Sequence, residues 1–576
     1  MRNSRFASLV ASAVILTTGA CDPSASPQEA ADLVFLNGRV VTMEEEMSEA
    51  QALAVRGHSI QAVGTTAEIQ ALVGSDTEVV DLDGRLLIPG FIEGHGHFLG
   101  LGRSRMILDL VPATSWTAIV DQVAAAVATA EPGEWILGRG WHQERWSPAP
   151  TPAVDGVPLH HELSRISPDN PVHLTHASGH ASFANAMAME LAGIHRNTPD
   201  PAGGTIVKGP DGEPTGLLRE TAQRLVGAAQ AEARQGMSDA ERHEELRQQV
   251  RLAGEVALAH GVTSFHDAGA SFAEIDFFRE MAAADALPVR LYVMVRSESN
   301  PRMEELLPEY RTVGQGNDFL TVRSIKRQID GALGAHGAWL LEPYEDLPSS
   351  TGLVLETPED IAETARIALM HGFQLNTHAI GDRANREVLD IYQEAFQAHG
   401  NPEDPRWRIE HAQHLHPDDV ERFAQLGVVA SVQGIHGTSD GPWVLARLGE
   451  ERARSGAYLW RSLLDAGVVV NNGTDTPVEP IDPIPSFHAS ATRVMITGEA
   501  FYPAQAMTRM EALKSYTWAN AYAAFQEDRL GTLAPGKLAD LVVLSRDILT
   551  VPDAEILDAR ADLTVVGGEV RYRRQP

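Results

Sequence analysis

The chain carries two kinds of hydrophobic pattern, which separate its ends from its middle. Short runs of alternating apolar and polar residues, bounded by Gly or Asn-Gly, fill residues 31–88, as in LVFLNGRVVTM and EVVDLDGRLLIPG. Such runs predict antiparallel strands joined by hairpins. The segments ADLVVLSRD and ADLTVVGGEVRYR, at 539–547 and 561–573, are similar to the start of that region. We therefore predict a small β-sandwich domain built from both chain ends, residues 31–88 and 528–576.

The middle of the chain, residues 89–527, alternates helical patterns with short apolar strands that end in polar residues. PEDIAETARIALMHG followed by FQLNTHAIGD is one such unit. Repeated units of this kind predict an α/β fold with parallel strands. No G-x-G-x-x-G follows a first strand, and the polar strand ends favour a (β/α)₈ TIM-like barrel over a dinucleotide-binding sheet. Several Pro and Gly breaks predict an insertion at about 134–250.

Composition and charge limit the possible partners. With 576 residues, of which 43% are hydrophobic and 22% charged, the chain is that of a globular protein with more than one domain. The net charge of −32 disfavours nucleic acid or an anionic membrane as a partner. We therefore expect the partner to be a small-molecule substrate. The sequence leaves the oligomeric state open.

The first thirty residues differ from the rest. MRNSRFASLVASAVILTTGAC has two early arginines, an apolar run and small residues before Cys21, a pattern typical of a signal peptide. TGAC is similar to a bacterial lipobox, and Cys21 is the only cysteine of the chain. We predict a lipoprotein-type signal peptide at 1–21, a tether at 22–30, and an exported protein. It would lie on the periplasmic side of the cell envelope, held to the membrane only by a lipid anchor at Cys21.

Candidate metal ligands stand at the ends of the predicted barrel strands. His95 and His97, in EGHGH, point to one face of an extended strand, so both imidazoles can bind one metal. Imidazole and carboxylate are good ligands for zinc and similar divalent ions, whereas a lysine ammonium is positive and is a poor one. Carbamylated by CO₂, the lysine would become a carboxylate able to bridge two metals. The candidate ligands are His95, His97, Lys326, His378, His411 and Asp475.

The segments around these residues resemble a known family. PGFIEGHGH, IKRQIDGALG, NTHAIGDRA, RIEHAQ and NNGTDTPVEPIDP are similar, in this order, to the successive motifs of the amidohydrolase superfamily. The nearest branch is the one that includes N-substituted formamide deformylases, amidohydrolase family 3, and the resemblance spans about residues 31 to 573. It implies two divalent metal ions, zinc being the expected metal. By that resemblance His95, His97 and Asp475 hold one metal and His378 and His411 the other, with carbamylated Lys326 as the bridge.

The resemblance also implies a reaction. A metal-dependent amidohydrolase would cleave a C–N bond in an amide, an N-acyl amino acid, a formamide or a cyclic amide. Asp475 would act as the general base and then as the general acid. His336 replaces an arginine common in this branch, and His436 follows the seventh strand, where it could donate to a developing oxyanion. Both are candidate substrate-binding residues. WHQERW and THASGHASF, in the insertion, are candidate lid segments.

The sequence leaves three other functions open. A mononuclear deaminase on the same barrel would keep Lys326 unmodified and bind one metal per chain. An ester or lactone hydrolase would use the same activated water. A non-catalytic binding lipoprotein would have lost at least one ligand, and the presence of all six disfavours it.

Overall fold

The computed structural model describes residues 29–45 and 48–575. The predicted signal peptide and Cys21 lie outside the described residues, as does most of the predicted tether. Within the described ranges, no helix combines the length and the apolar character needed to cross a membrane.

From Val262 to Gly473, strands and helices alternate along the chain, as predicted for repeated β-then-α units. The strands are β1 Leu33–Leu36, β2 Arg39–Val41, β3 Glu49–Ala50, β4 Ala52–Arg56, β5 Ser59–Gly64, β6 Glu78–Asp81, β7 Leu86–Pro89, β8 Phe91–Gly96, β9 Leu108–Asp109, β10 Ile136–Trp141, β11 Ala153–Val154, β12 Val157–Pro158, β13 Val172–His176, β14 Ala181–Ala184, β15 Gly204–Lys208, β16 Pro214–Glu220, β17 Val262–Ala270, β18 Arg290–Val295, β19 Thr312–Gly314, β20 Leu320–Gln328, β21 Gln374–Ala379, β22 Arg408–His411, β23 Val429–Gln433, β24 Val470–Gly473, β25 Leu541–Leu544, β26 Ala561–Val566 and β27 Glu569–Arg573. The α-helices are α1 Thr66–Gln70, α2 Phe98–Ser104, α3 Trp116–Val127, α4 His161–Ile166, α5 Ala186–Leu191, α6 Gln223–Ala233, α7 Asp239–Ala259, α8 Phe272–Ala283, α9 Asn300–Tyr310, α10 Gln315–Asp318, α11 Pro358–His371, α12 Asp382–Ala398, α13 Val420–Leu426, α14 His436–Ser439, α15 Gly441–Gly456, α16 Trp460–Asp465, α17 Pro483–Thr492, α18 Arg509–Ser515, α19 Trp518–Ala523 and α20 Asp553–Ile556.

Eight parallel strands form the central sheet, in the order β8-β17-β18-β20-β21-β22-β23-β24. Their near-continuous apolar sequences fit strands that are covered on both faces, and every residue of RLYVMV in β18 is buried. Two backbone hydrogen bonds join the ends of the first and last strands: Asp475 N donates to His95 O at 2.8 Å, and His97 N donates to Thr476 O at 2.7 Å. The barrel is thus nearly closed, and the predicted α/β fold with a TIM-like barrel is confirmed. We call this junction the seam.

The two chain ends pack together beside the barrel. One sheet has the order β5-β4-β1-β6 and the other the order β27-β26-β25-β7-β2-β3. Antiparallel pairing of β25 with β7 places the C-terminal strands next to the N-terminal ones. Apolar side chains from both regions, among them Phe35, Leu53 and Val543, form one buried cluster. The association of the two ends agrees with the prediction, while a separate β-sandwich domain stays a prediction.

A six-stranded sheet, β15-β16-β14-β13-β10-β9, interrupts the barrel between α2 and α7. It runs from Leu108 to Glu220, and so begins upstream of the 134–250 segment in which the sequence predicts an insertion. The difference arises because α3 packs on this sheet: Trp116 and Ile119 share its buried cluster with Phe183. A helical repeat shows which face of a helix is buried but not which sheet it covers. At the other boundary, α7 packs into the barrel core.

Candidate metal centre

The candidate ligands from the first and last barrel strands meet at the seam. His95 Nε2 lies 3.6 Å from Asp475 Oδ1, and His97 Nε2 lies 3.2 Å from the same oxygen. The ligand atoms of these three residues all lie within 4.8 Å of one another. The i, i+2 spacing of the two histidines therefore does direct both rings to one point, and the carboxylate of Asp475 completes the group.

The other three candidate ligands lie against this group. Lys326 Nζ is 3.4 Å from His95 Nε2. The ring centre of His411 is 4.8 Å from that of His95 and 4.3 Å from that of His378. The structure therefore brings all six candidate ligands together at the carboxyl ends of the strands, where barrels of this type carry their chemistry.

The backbone is strained at two of these positions. His411 has φ 79° and Asp475 has φ 57°, both in the left-handed region that residues with a Cβ rarely adopt. Such conformations cost about 1–3 kcal/mol each and are typically retained at functional sites. Here His411 is the last residue of β22, and Asp475 follows the end of β24 by two residues.

Buried hydrogen-bond partners orient two of the imidazoles. His95 Nδ1 is 2.5 Å from Glu410 Oε2, and His411 Nδ1 is 2.7 Å from Gln433 Oε1. Because Nδ1 is occupied in both rings, Nε2 is the nitrogen left to face the centre. Burial alone would raise the pKa of Glu410, but the neighbouring His95 and Arg408 outweigh it and lower that pKa to about 2.

Replacement of Glu410 by Gln tests this orientation. The amide oxygen can still accept from His95 Nδ1, but the negative charge that strengthens the imidazole as a ligand is lost. We expect metal affinity to fall by about 10- to 100-fold, as for other outer-shell partners of metal-binding histidines. Equilibrium titration with zinc measures the effect, and Glu359→Gln, on the exposed face of α11, is the control. Unchanged zinc affinity in Glu410→Gln would remove this role from Glu410.

The remaining atoms of the group fit a divalent cation. Burial lowers the pKa of both His378 and His411 well below the ordinary value, which keeps both rings neutral and able to coordinate. Asp475 Oδ1 and His378 Nε2 are buried without a hydrogen-bond partner among residues 29–45 and 48–575. Buried acceptor atoms left without a donor are costly unless a cation lies against them, and nitrogen and oxygen ligands suit zinc-like ions.

The two candidate substrate-binding residues, His436 and His336, and Glu93 of β8 have different surroundings. His436 lies beside the centre, with its ring parallel to that of His411 at 6.4 Å. His336 does not line the cavities at the centre; its Nε2 is 3.1 Å from Asp346 Oδ1, and its ring packs on Tyr344. Glu93 accepts hydrogen bonds from Thr474 N and Oγ1 at 2.6 and 3.0 Å, so it reinforces the seam.

Several groups at the centre are not assigned from the sequence. Glu410 and Gln433 stand next to a predicted ligand or at a predicted strand end, so the strand pattern could have indicated them. His180, whose Nδ1 is 2.9 Å from Glu220 Oε2, comes from the inserted sheet and reaches within 5.9 Å, ring centre to ring centre, of His378. Its segment, THASGHASF, is one of the two candidate lid segments. No regular spacing in the sequence relates His180 to the ligands on the barrel strands.

Comparison with known proteins decides the family. A family model for the amidohydrolase family matches residues 78–572, which is most of the chain. The protein is an amidohydrolase. The predicted recognition and the predicted enzyme class, a metal-dependent amidohydrolase, are confirmed, and the use of a divalent metal agrees with both the family and the His95, His97 and Asp475 group.

Relatives and solved structures support this assignment. Over 94% of its length the amidohydrolase is 35% identical to Protein LONG AFTER FAR-RED 3 of Arabidopsis thaliana, 92% of which is covered. Over 94% it is 28% identical to the N-substituted formamide deformylase of Arthrobacter pascens, 98% of which is covered. The crystal structure of an uncharacterized metal-dependent hydrolase from Pyrococcus horikoshii OT3 matches with a TM-score of 0.72 and 27% identity, over 91% of this chain and 99% of that one.

Proposed function

We propose that this amidohydrolase hydrolyses the C–N bond of an amide with water activated by two divalent metal ions, which we expect to be zinc. The observation that carries the proposal is the convergence of four imidazoles, one carboxylate and one buried lysine at the barrel mouth. His95, His97 and Asp475 would hold one ion, and His378 and His411 the other. The similarity to a formamide deformylase supports a C–N bond as the target.

The position of Lys326 supports its conversion to a bridging carbamate. As an ammonium, its Nζ would place a positive charge 3.4 Å from His95 Nε2, where that charge would repel a metal ion. Burial, followed by the charge of Arg296, lowers the pKa of Lys326 to about 8. An amine of this pKa is partly neutral near pH 7–8, and only the neutral amine reacts with CO₂.

The chemistry would be divided between the metals and the chain. Divalent ions, when bound, lower the pKa of water and polarise a carbonyl oxygen. Asp475 Oδ1 takes a proton from the attacking water and gives it to the leaving nitrogen, as a general base and then acid. His436, beside His411, is placed to donate a hydrogen bond to the carbonyl oxygen as negative charge develops there. Its Nε2 has no other partner among the described residues.

One observation favours a second candidate. His95, His97 and Asp475 form a compact three-ligand group by themselves, which fits a single metal ion. A mononuclear deaminase would use this group and leave Lys326 unmodified. An ester or lactone hydrolase stays a third possibility, because an activated water attacks either carbonyl.

Metal analysis of the purified protein, combined with a crystal structure, tests the proposal. We expect two metal ions per chain, extra electron density on Lys326 Nζ, and release of an amine from at least one of a panel of amides and formamides. One ion per chain with an unmodified Lys326 would favour the deaminase. Turnover of esters without any turnover of amides would contradict the C–N assignment.

Export and attachment through Cys21 belong to the same proposal. They rest on the sequence of residues 1–21. The enzyme would then act on a small molecule outside the cytoplasm.

A further inference from the structure

Two cavities meet at the candidate metal centre. One has a volume of about 560 Å³ and the other about 930 Å³. His411, Asp475 and His180 line both of them. A substrate whose reacting bond lies at the centre would therefore extend in two directions, and the lining of each cavity indicates which group it accepts.

The smaller cavity is cationic in a strongly acidic protein. Four arginines and Lys326 line it, whereas its only carboxylates are Glu220 and Asp475. Glu220 is already paired with His180, and Asp475 belongs to the candidate metal centre. The four arginines are Arg103, Arg139, Arg224 and Arg296, and none of them forms an ion pair with a carboxylate in the part of the chain that the structure describes.

Arg139 is held in place but keeps part of its guanidinium free. Its Nε donates to Pro477 O at 3.2 Å and its Nη2 to Ala177 O at 3.0 Å, which fixes the side chain with neutral partners. Its Nη1 has no hydrogen-bond partner within the described ranges. Gly179, with φ 77°, lies across from both Nη atoms, and a Cβ there would be 3.6 Å from each. The absence of a side chain at this position leaves that face of the guanidinium open to the cavity.

Arg296 extends the cationic surface to the metal centre itself. Its Nη2 donates to Gln328 Oε1 at 2.8 Å, and its other guanidinium nitrogens have no partner among the residues described. Two half-buried guanidinium groups held by neutral oxygens, with donors left over, form a site for a carboxylate, because guanidinium and carboxylate match in both charge and geometry.

The larger cavity has no excess of cationic side chains, since five carboxylates and three arginines line it, and much of its remaining wall is apolar. Its walls include large apolar side chains from four parts of the chain, namely Trp141, Leu333, Trp443, Met495 and Ile496. Trp141 belongs to the inserted sheet and is buried, whereas Ile496 is almost fully exposed at the cavity rim. Apolar walls of this size accept an aliphatic or aromatic group and exclude water from it.

We propose, building on the proposed function, that the substrate is an N-acyl amino acid. Its carboxylate would lie between Arg139 and Arg296, its amide at the metal centre, and its apolar acyl group in the larger cavity. Water adds to the acyl carbon and the C–N bond breaks. The products are a fatty or aryl carboxylate and the free amino acid, whose nitrogen leaves with the proton carried by Asp475.

Matched pairs of compounds test the proposal. Each pair is an N-decanoyl amino acid and its primary carboxamide, which differ only in the charge at the amino-acid end. We expect kcat/KM to be about 100-fold higher for the acids, the preference that charge-assisted hydrogen bonds to two arginines supply. Arg139→Gln should slow the acids more than the carboxamides and thereby reduce this preference to about tenfold or less. Arg251→Gln, exposed on α7, is the control.

The outcomes separate this inference from the proposed function. Equal kcat/KM for acid and carboxamide would overturn the carboxylate site while leaving the amidohydrolase function in place, as would equal losses for both compounds in Arg139→Gln. If the metal-loaded protein hydrolyses neither compound, the proposed function fails, and binding of both can then be measured by calorimetry on the intact wild-type protein. A Kd for the acid at least about tenfold lower than the Kd for the carboxamide would support the site if Arg139→Gln abolishes that difference. Equal Kd values for the two compounds would overturn it.

Discussion

Replacing Asp475 with Asn is expected to lower kcat by about 10³- to 10⁴-fold, the upper range for loss of a general acid–base group. Asn keeps the size of the side chain and one oxygen next to His97, but it cannot take the proton of the attacking water. Asp475 itself stands two residues after the end of β24, with its backbone in the left-handed region. Steady-state kinetics with an amide substrate measures the loss.

Two further measurements make the Asp475 result specific. Metal content and thermal unfolding of Asp475→Asn separate loss of the proton carrier from loss of a metal ion or of the fold. Asp418→Asn, at a side chain that is 85% exposed, is the control and should retain full activity. Turnover of Asp475→Asn within about tenfold of wild type would contradict the assigned acid–base role.

Replacing Lys326 with Ala is expected to lower activity by about 10³-fold or more, since the bridging ligand supports metals that contribute several kcal/mol of transition-state stabilisation. The variant should also bind fewer metal ions per chain. The deletion leaves a space beside His95 in which a small carboxylate can bind. We therefore expect millimolar formate or acetate to restore part of the activity and of the metal content, because either ion supplies the two oxygens of the carbamate.

The hypothesis of a mononuclear deaminase makes the opposite prediction for Lys326→Ala. With an unmodified lysine, metal content stays at one ion per chain in wild type and variant alike, and added carboxylate restores nothing. Lys514→Ala, at an exposed lysine on α18, controls for the general effects of the substitution and of the added salts. Absence of rescue together with unchanged metal content would exclude a carbamate bridge.

The six candidate ligands could be predicted because their positions depend on local pattern. Each one ends a predicted parallel strand, and parallel strands in a barrel have their carboxyl ends at one rim. The prediction that His95 and His97 point to the same face required only the two-residue period of a strand. Which ring nitrogen faces the centre could not be predicted, because it depends on Glu410 and Gln433 lying across from the rings in the folded barrel.

Residues outside the barrel strands were beyond prediction for a different reason. Arg139 and His180 reach the centre only because the six-stranded sheet folds over the barrel mouth. Short-range periodicity carries no information on that long-range packing, as the placement of α3 also shows. His336 illustrates the converse: it follows β20 closely in sequence, but a left-handed backbone and the pairing with Asp346 place it away from the cavities.

The seam links ligand geometry to the resistance of the barrel to opening. His95, His97 and Asp475 belong to the two strands whose meeting closes the barrel, and their backbone groups form the hydrogen bonds that join those strands. An ion bound by all three would act as a cross-link between segments far apart in sequence, and cross-links over long loops reduce the entropy of the opened chain most. Bound metal would then slow the separation of β8 from β24 in addition to its role in catalysis. Loss of metal and loss of kinetic stability should therefore occur together.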